Sequence, residues 1–154
     1  MSNMISRRRP TISKTVSSPL LIGRHAVLAV LQHQPQRAQR LFVLDTGQRL
    51  EAIVDEAKRH KVAIERVERH RLDVLSGDPH HQGVALLCSP FVATSLDDAL
   101  SEPVDLAVVL DGIEDPRNLG AIARSSYALG AQMLVLPKDR SAHVNSWAEK
   151  AAVG

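Results

Sequence analysis

Two arginines stand seven residues apart in the segment Leu110-Asp111-Gly112-Ile113-Glu114-Asp115-Pro116-Arg117-Asn118-Leu119-Gly120-Ala121-Ile122-Ala123-Arg124. Seven residues make about two helical turns, so Arg117 and Arg124 share a face if the segment is helical. A guanidinium offers a planar fork of donors that matches phosphate oxygens. Gly120 and Tyr127 fall on the same stripe. Glycine costs a helix about 1 kcal/mol relative to alanine. At position 120 it is therefore expected to let a ligand backbone approach closely. Two readings fit these residues, an anion or nucleic-acid site at the start of a helix and a solvated charged face.

The flanking residues supply what would position that helix. Leu106 to Leu110 is a continuous apolar run and reads as a strand, and Met133 to Leu136 reads as another. Asp115 suits an N-cap and Pro116 the first helical position, where a missing N–H costs nothing. Gly112 suits a tight turn. These roles, with turn chemistry for Asp111 and Glu114, need no function. Between the strands, a helix is expected over 117–129, with Leu119, Ile122, Ala123, Ser126 and Leu129 facing the sheet. A strand, helix and strand of this length form a βαβ unit with parallel strands.

Upstream, residues 20–90 read as a compact α/β module. Val27, Val30 and Leu31 follow Gly23-Arg24-His25 at helical spacing, and Leu50, Ile53, Val54 and Ala57 make an amphipathic helix. Leu41 to Leu44, closed by Asp45 and Gly47, the alternating Val62 to Val67, and Val84 to Cys88 read as strands. Residues 1–19 read as a disordered basic tail with Arg7, Arg8, Arg9 and Lys14 and no acidic residue. Residues 91–104 read as a linker with a short helix near Leu96–Leu100, and 105–154 as the start of a second unit.

Composition narrows the function classes. Aromatic residues make up only 3% of the chain, so the core must be aliphatic. A net charge of +2 permits nucleic-acid binding without requiring it. The single cysteine, Cys88, excludes an intrachain disulfide framework and suits a reducing, cytoplasmic compartment. No apolar run approaches membrane-spanning length. His80, His81 and Cys88 match no zinc spacing, so no metal is expected. Cys88 sits inside an apolar strand, as a core residue would. Gly23-Arg24-His25 lacks the rest of a phosphate-binding loop, and no dinucleotide fingerprint occurs. Arg24 and His25 are candidates for RNA contact or for starting a helix.

The stretch Asn118-Leu119-Gly120-Ala121-Ile122-Ala123-Arg124 resembles the first signature of the SpoU/TrmH RNA ribose 2′-O-methyltransferases, N-x-G-x-x-x-R after a strand and D-G-x-x-D-P. Leu136-Pro137-Lys138-Asp139-Arg140-Ser141-Ala142 resembles the following loop of the family's bacterial 23S ribosomal RNA guanosine-2′-O-methyltransferases. Ile22-Gly23-Arg24-His25-Ala26-Val27 and His81-Gln82-Gly83-Val84 resemble the opening and last strand of its RNA-substrate-binding domain. The resemblance implies an α/β protein. A small RNA-substrate-binding domain is followed by the first βαβ part of a knotted, SPOUT-type methyltransferase domain.

It implies methyl transfer from S-adenosylmethionine to a ribose 2′-hydroxyl of ribosomal RNA, in a cytoplasmic homodimer without a membrane partner. It assigns catalysis to Asn118 and Arg124, while Arg24, His25 and Arg117 are the candidates for RNA contact read from the residues themselves. Arg124 as a base would need a drastically lowered pKa, since guanidinium stays charged. Arg124 clamping the adjacent phosphate and easing loss of the hydroxyl proton is the preferred role. The family's cofactor motifs are expected beyond Gly154, so this chain is read as truncated and inactive alone. The alternative is a non-catalytic RNA-binding protein or relic.

Overall fold

The computed structural model describes residues 19–45 and 50–152. The tail expected over 1–19 lies outside them except for Pro19, as do Gly47, Val153 and Gly154.

The first unit contains β1 (Leu20–Ile22), α1 (Arg24–His33), a 3-10 turn (Pro35–Arg37), β2 (Ala38–Leu44), α2 (Glu51–Arg59), β3 (Ala63–Val67), α3 (Arg69–Ser76) and β4 (Val84–Cys88). Its sheet runs β1-β4-β2-β3. The α2 crossover makes β2 and β3 parallel, whereas β4 is antiparallel to β1 and β2. Alternation along the strands divides the core. Leu41 and Val43 join Leu21, Val84 and Leu86 in one cluster with side chains of α1 and α2. Phe42 joins Ile22, Ala85 and Val67 in a second cluster with Leu72 of α3. Leu72 is the one buried residue of α3, and its complete burial is worth roughly 1.5–3 kcal/mol.

His81 is fully buried and has a structural task. Its Nε2–H donates to Asp73 Oδ1 at 2.9 Å, and Nδ1 accepts the Gly83 N–H at 2.9 Å. Beside it, Gln82 Oε1 accepts the Arg24 N–H at 2.9 Å, so the turn before β4 fixes the start of α1. Cys88 is buried, and desolvation pushes its thiol up to about 11. Its reaction with a thiol reagent at neutral pH should therefore be limited by opening of the fold. The rate should rise to that of an ordinary thiol in denaturant. A free-thiol rate in the folded protein would contradict the core assignment.

The second unit follows α4 (Leu96–Ala99), which Ser95 caps by accepting the Asp98 N–H. It contains β5 (Ala107–Val109), α5 (Pro116–Ala128), β6 (Met133–Val135) and α6 (Ser146–Ala152). β5 and β6 are parallel, with Ala107 opposite Met133. Two expectations need correction. The strand read over Leu106 to Leu110 is only three residues long, and Val109 is 72% exposed. A two-stranded sheet leaves one face of such a strand uncovered. Leu129 is 79% exposed and does not extend the buried stripe of α5. It lies one residue past the helix, where the chain turns into Gly130 at φ 85°.

α6 joins the two units, packing on α5, β1 and α1. Arg37 and Glu149 form a 2.6 Å ion pair, with side chains 11% and 14% exposed. Arg37 also donates to Gln34 Oε1 and to the Ser89 carbonyl. The next residue of α6, Lys150, pairs with Asp78 at 3.2 Å. The His80 amide, aided by Lys150, holds the Asp78 carboxyl down at about 2.

Candidate RNA-binding and catalytic face

α5 begins as its sequence dictates. Asp115 Oδ1 accepts the Arg117 N–H at 2.8 Å, Pro116 occupies the first turn, and Gly112 adopts φ 67° in the preceding turn. The Ala142 N–H donates to the Ile113 carbonyl at 2.6 Å, fastening the loop after β6 to the loop after β5. Ala142, Leu119 and Ala148 then close a small core under Leu110, Ile113, Leu134, Leu136 and Val144. The candidate face is thus built at the carboxyl ends of both strands.

Arg117, Asn118 and Arg124 are all exposed on α5. Arg117 and Arg124 lie on one face two turns apart, while Asn118 is offset from Arg124 by about 120° around the axis. Arg24 is half-buried at the start of α1, and His25 is exposed beside it. Sequence reasoning gave no role to Trp147 and Lys150 of α6, the first of which lies against Arg117. The Arg117 guanidinium carbon is 5.2 Å from the indole centre, and Lys150 Nζ is 5.6 Å from it. The signal available was a sole tryptophan in a chain poor in aromatics.

Gly120 departs from its expected role. The backbone that approaches it belongs to α6 rather than to a ligand. A Cβ at position 120 would collide with the Ala148 carbonyl oxygen and lie 2.7 Å from the Ala151 Cβ. Gly120→Ala gains about 1 kcal/mol of helix propensity. Overpacking costs about 1–3 kcal/mol, here against backbone that cannot rotate away. The net should be a destabilisation of up to about 2 kcal/mol, read as a lower denaturant midpoint. A more stable variant would show that α5 and α6 pack less closely than described.

A cavity of about 580 Å³ lies between α1 and the second unit. Its walls include Ala26, Val30, Leu119, Leu134 and Ala152, and its charged members Arg37 and Glu149 already pair with each other.

Comparison with known proteins places this geometry. Residues 20–92 match the family model described as RNA 2′-O ribose methyltransferase substrate binding, and residues 105–154 match the SpoU rRNA Methylase family. The chain is 36% identical over 145 residues to the 23S rRNA (guanosine-2′-O-)-methyltransferase RlmB of Escherichia coli, covering 89% of this chain and 59% of that protein. It is 37% identical over 145 residues to the RlmB of Vibrio cholerae, covering 90% and 59%. The chain therefore spans about three-fifths of the length of these curated relatives. An rRNA methyltransferase structure from Sinorhizobium meliloti superposes with a TM-score of 0.67 at 18% identity, over 88% of this chain and 50% of that one. The SpoU methyltransferase AviRb from Streptomyces viridochromogenes, in complex with AdoMet, gives 0.61 at 21%, over 87% and 49%. These two likenesses establish the α/β fold.

Proposed function

Since this chain belongs to the SpoU family of ribosomal RNA methylases, we propose that its protein moves a methyl group from S-adenosylmethionine to a ribose 2′-hydroxyl of ribosomal RNA. The names of its curated relatives favour a guanosine of 23S RNA. The carrying observation is that both family domains match in order, with Arg117, Asn118 and Arg124 exposed along α5. In this reading 20–90 is the RNA-substrate-binding domain, 91–104 the linker and 105–154 the first part of the methyltransferase domain.

A ribose hydroxyl is a weak nucleophile and must lose its proton, to solvent rather than to Arg124, as it attacks. Arg124 grips the neighbouring phosphate bidentately, and its fixed positive charge favours the developing alkoxide. Asn118 supports the site from the same helix. Arg24, His25 and Arg117 hold RNA on either side of α6. Arg117 and Arg124, two turns apart on one face, can each meet a phosphate of the same strand.

The cavity between α1 and the second unit does not suit S-adenosylmethionine. The cavity beside β6 is largely apolar, and its one buried ion pair is already satisfied. It offers no free carboxylate for a ribose diol or an ammonium group. The donor's contacts are assigned to residues outside those described. No helix among the described residues is long and apolar enough to cross a membrane. Cytoplasmic location and a homodimer complete the proposal.

The test is transfer of labelled methyl from S-adenosylmethionine to ribosomal RNA, alongside cofactor calorimetry. A protein extending this chain to its relatives' length should methylate a ribose, whereas residues 1–154 alone should not bind the donor at micromolar concentration. RNA binding without transfer by the extended protein would favour a non-catalytic RNA-binding protein or relic. Micromolar donor binding by 1–154 would mean the pocket is misplaced.

A further inference from the structure

We propose that Trp147, set beside Arg117 and Lys150, is a stacking platform for an unpaired RNA nucleotide at the junction of the two domains. The inference rests on the RNA-directed function proposed above and adds to it a base-contacting residue and the kind of RNA it takes.

Trp147 is not needed to close the core. The small cluster beneath α6 is filled by Leu119, Ala142 and Ala148, while Trp147 remains 44% exposed. Both cationic groups lie over the indole, Lys150 held by its ion pair with Asp78, so an unpaired base reaches the ring by displacing Arg117, whose guanidinium then meets the phosphate. Arg117 and Lys150 come from different helices, and their cationic groups lie 5.2 Å and 5.6 Å from the ring centre. Arg117 is also exposed, so it can turn from the ring to a phosphate.

The patch continues into the first domain. Lys150 bonds Asp78, and a Cβ at Gly23 would stand 3.9 Å from Lys150 Cε. Gly23 immediately precedes Arg24 and His25, the RNA-contact candidates of α1. RNA lying along these residues would cross from one domain to the other over Trp147. A paired duplex keeps its bases stacked internally and offers no free face there, so the ligand class is single-stranded RNA. The competing interpretation is that Trp147 only staples α5 to α6 through Arg117.

Trp147 is the only tryptophan, so its emission reports on this one site. The 154-residue chain should be titrated with a short, unstructured, dye-labelled RNA, following dye anisotropy for binding and indole emission for stacking. Binding should quench the emission, and a duplex of the same sequence should quench it much less. Trp147→Ala should weaken binding roughly tenfold to a hundredfold, the range for loss of one base–aromatic stack. Trp147→Phe should retain most of the affinity. Circular dichroism on both variants reads the fold separately. RNA binding with unchanged emission, and with equal affinity for Trp147→Ala, would overturn the platform and leave the RNA-directed function standing. No binding of any RNA by the wild-type chain would overturn the platform and the assignment of 20–90 as the RNA-substrate-binding domain.

Discussion

Arg124→Ala, in a protein extending this chain to its relatives' length, is expected to lower single-turnover methyl transfer by roughly 10²–10³. That range is typical for loss of one preorganised group aimed at developing charge. The fold should survive, because Arg124 is exposed on α5 and outside the buried clusters. Affinity for S-adenosylmethionine should hardly change, since the proposed contact is with RNA. Arg124→Lys should fail nearly as badly, because an ammonium is a point charge and cannot form the bidentate fork. Near-normal transfer by Arg124→Ala would remove the residue from the catalytic assignment. Loss of cofactor binding in the same variant would place Arg124 on the donor.

The second large effect concerns Arg37 and Glu149. Arg37→Ala leaves the Glu149 carboxylate in a nearly enclosed site without its cation, and leaves Gln34 Oε1 and the Ser89 carbonyl without their donor. Breaking one side of a buried pair costs roughly 3 kcal/mol. Arg37→Met combined with Glu149→Met should recover most of that loss, since no uncompensated charge remains. Denaturant melts of Arg37→Met, Glu149→Met and the double variant give the coupling directly. Additive losses would show that the two side chains do not act as a pair.

The segments legible in the sequence were those with a repeated apolar spacing. Val27, Val30 and Leu31 marked α1, Ile53 and Ala57 marked α2, and Leu41 to Val43 and Val84 to Leu86 marked the central strands. Asp115-Pro116 located the start of α5 because capping is local chemistry. β1 has only three residues, too few to establish a period. α3 buries Leu72 alone among Arg69, His70, Arg71 and Asp73, so it shows no stripe. The site was half legible for the same reason. Arg117 and Arg124 share a face by helical spacing, but Gly120 meets a helix some 30 residues on, and only tertiary packing reveals that partner. Arg37 is similar, with its carboxylate 112 positions away.

The attachment of α6 to both units gives the proposed enzyme a caliper. Sequence motifs divide the chain near the linker, yet the helix gripping the first unit through Glu149 and Lys150 also lies against α5, which carries Arg124. The interval between the start of α1 and Arg124 is therefore set by packed helices rather than by linker length. An RNA held at Arg24 and His25 would present to Arg124 whichever ribose lies at that interval along its folded contour. Choice of the modified nucleotide would then be a measurement of distance, made before any base is read.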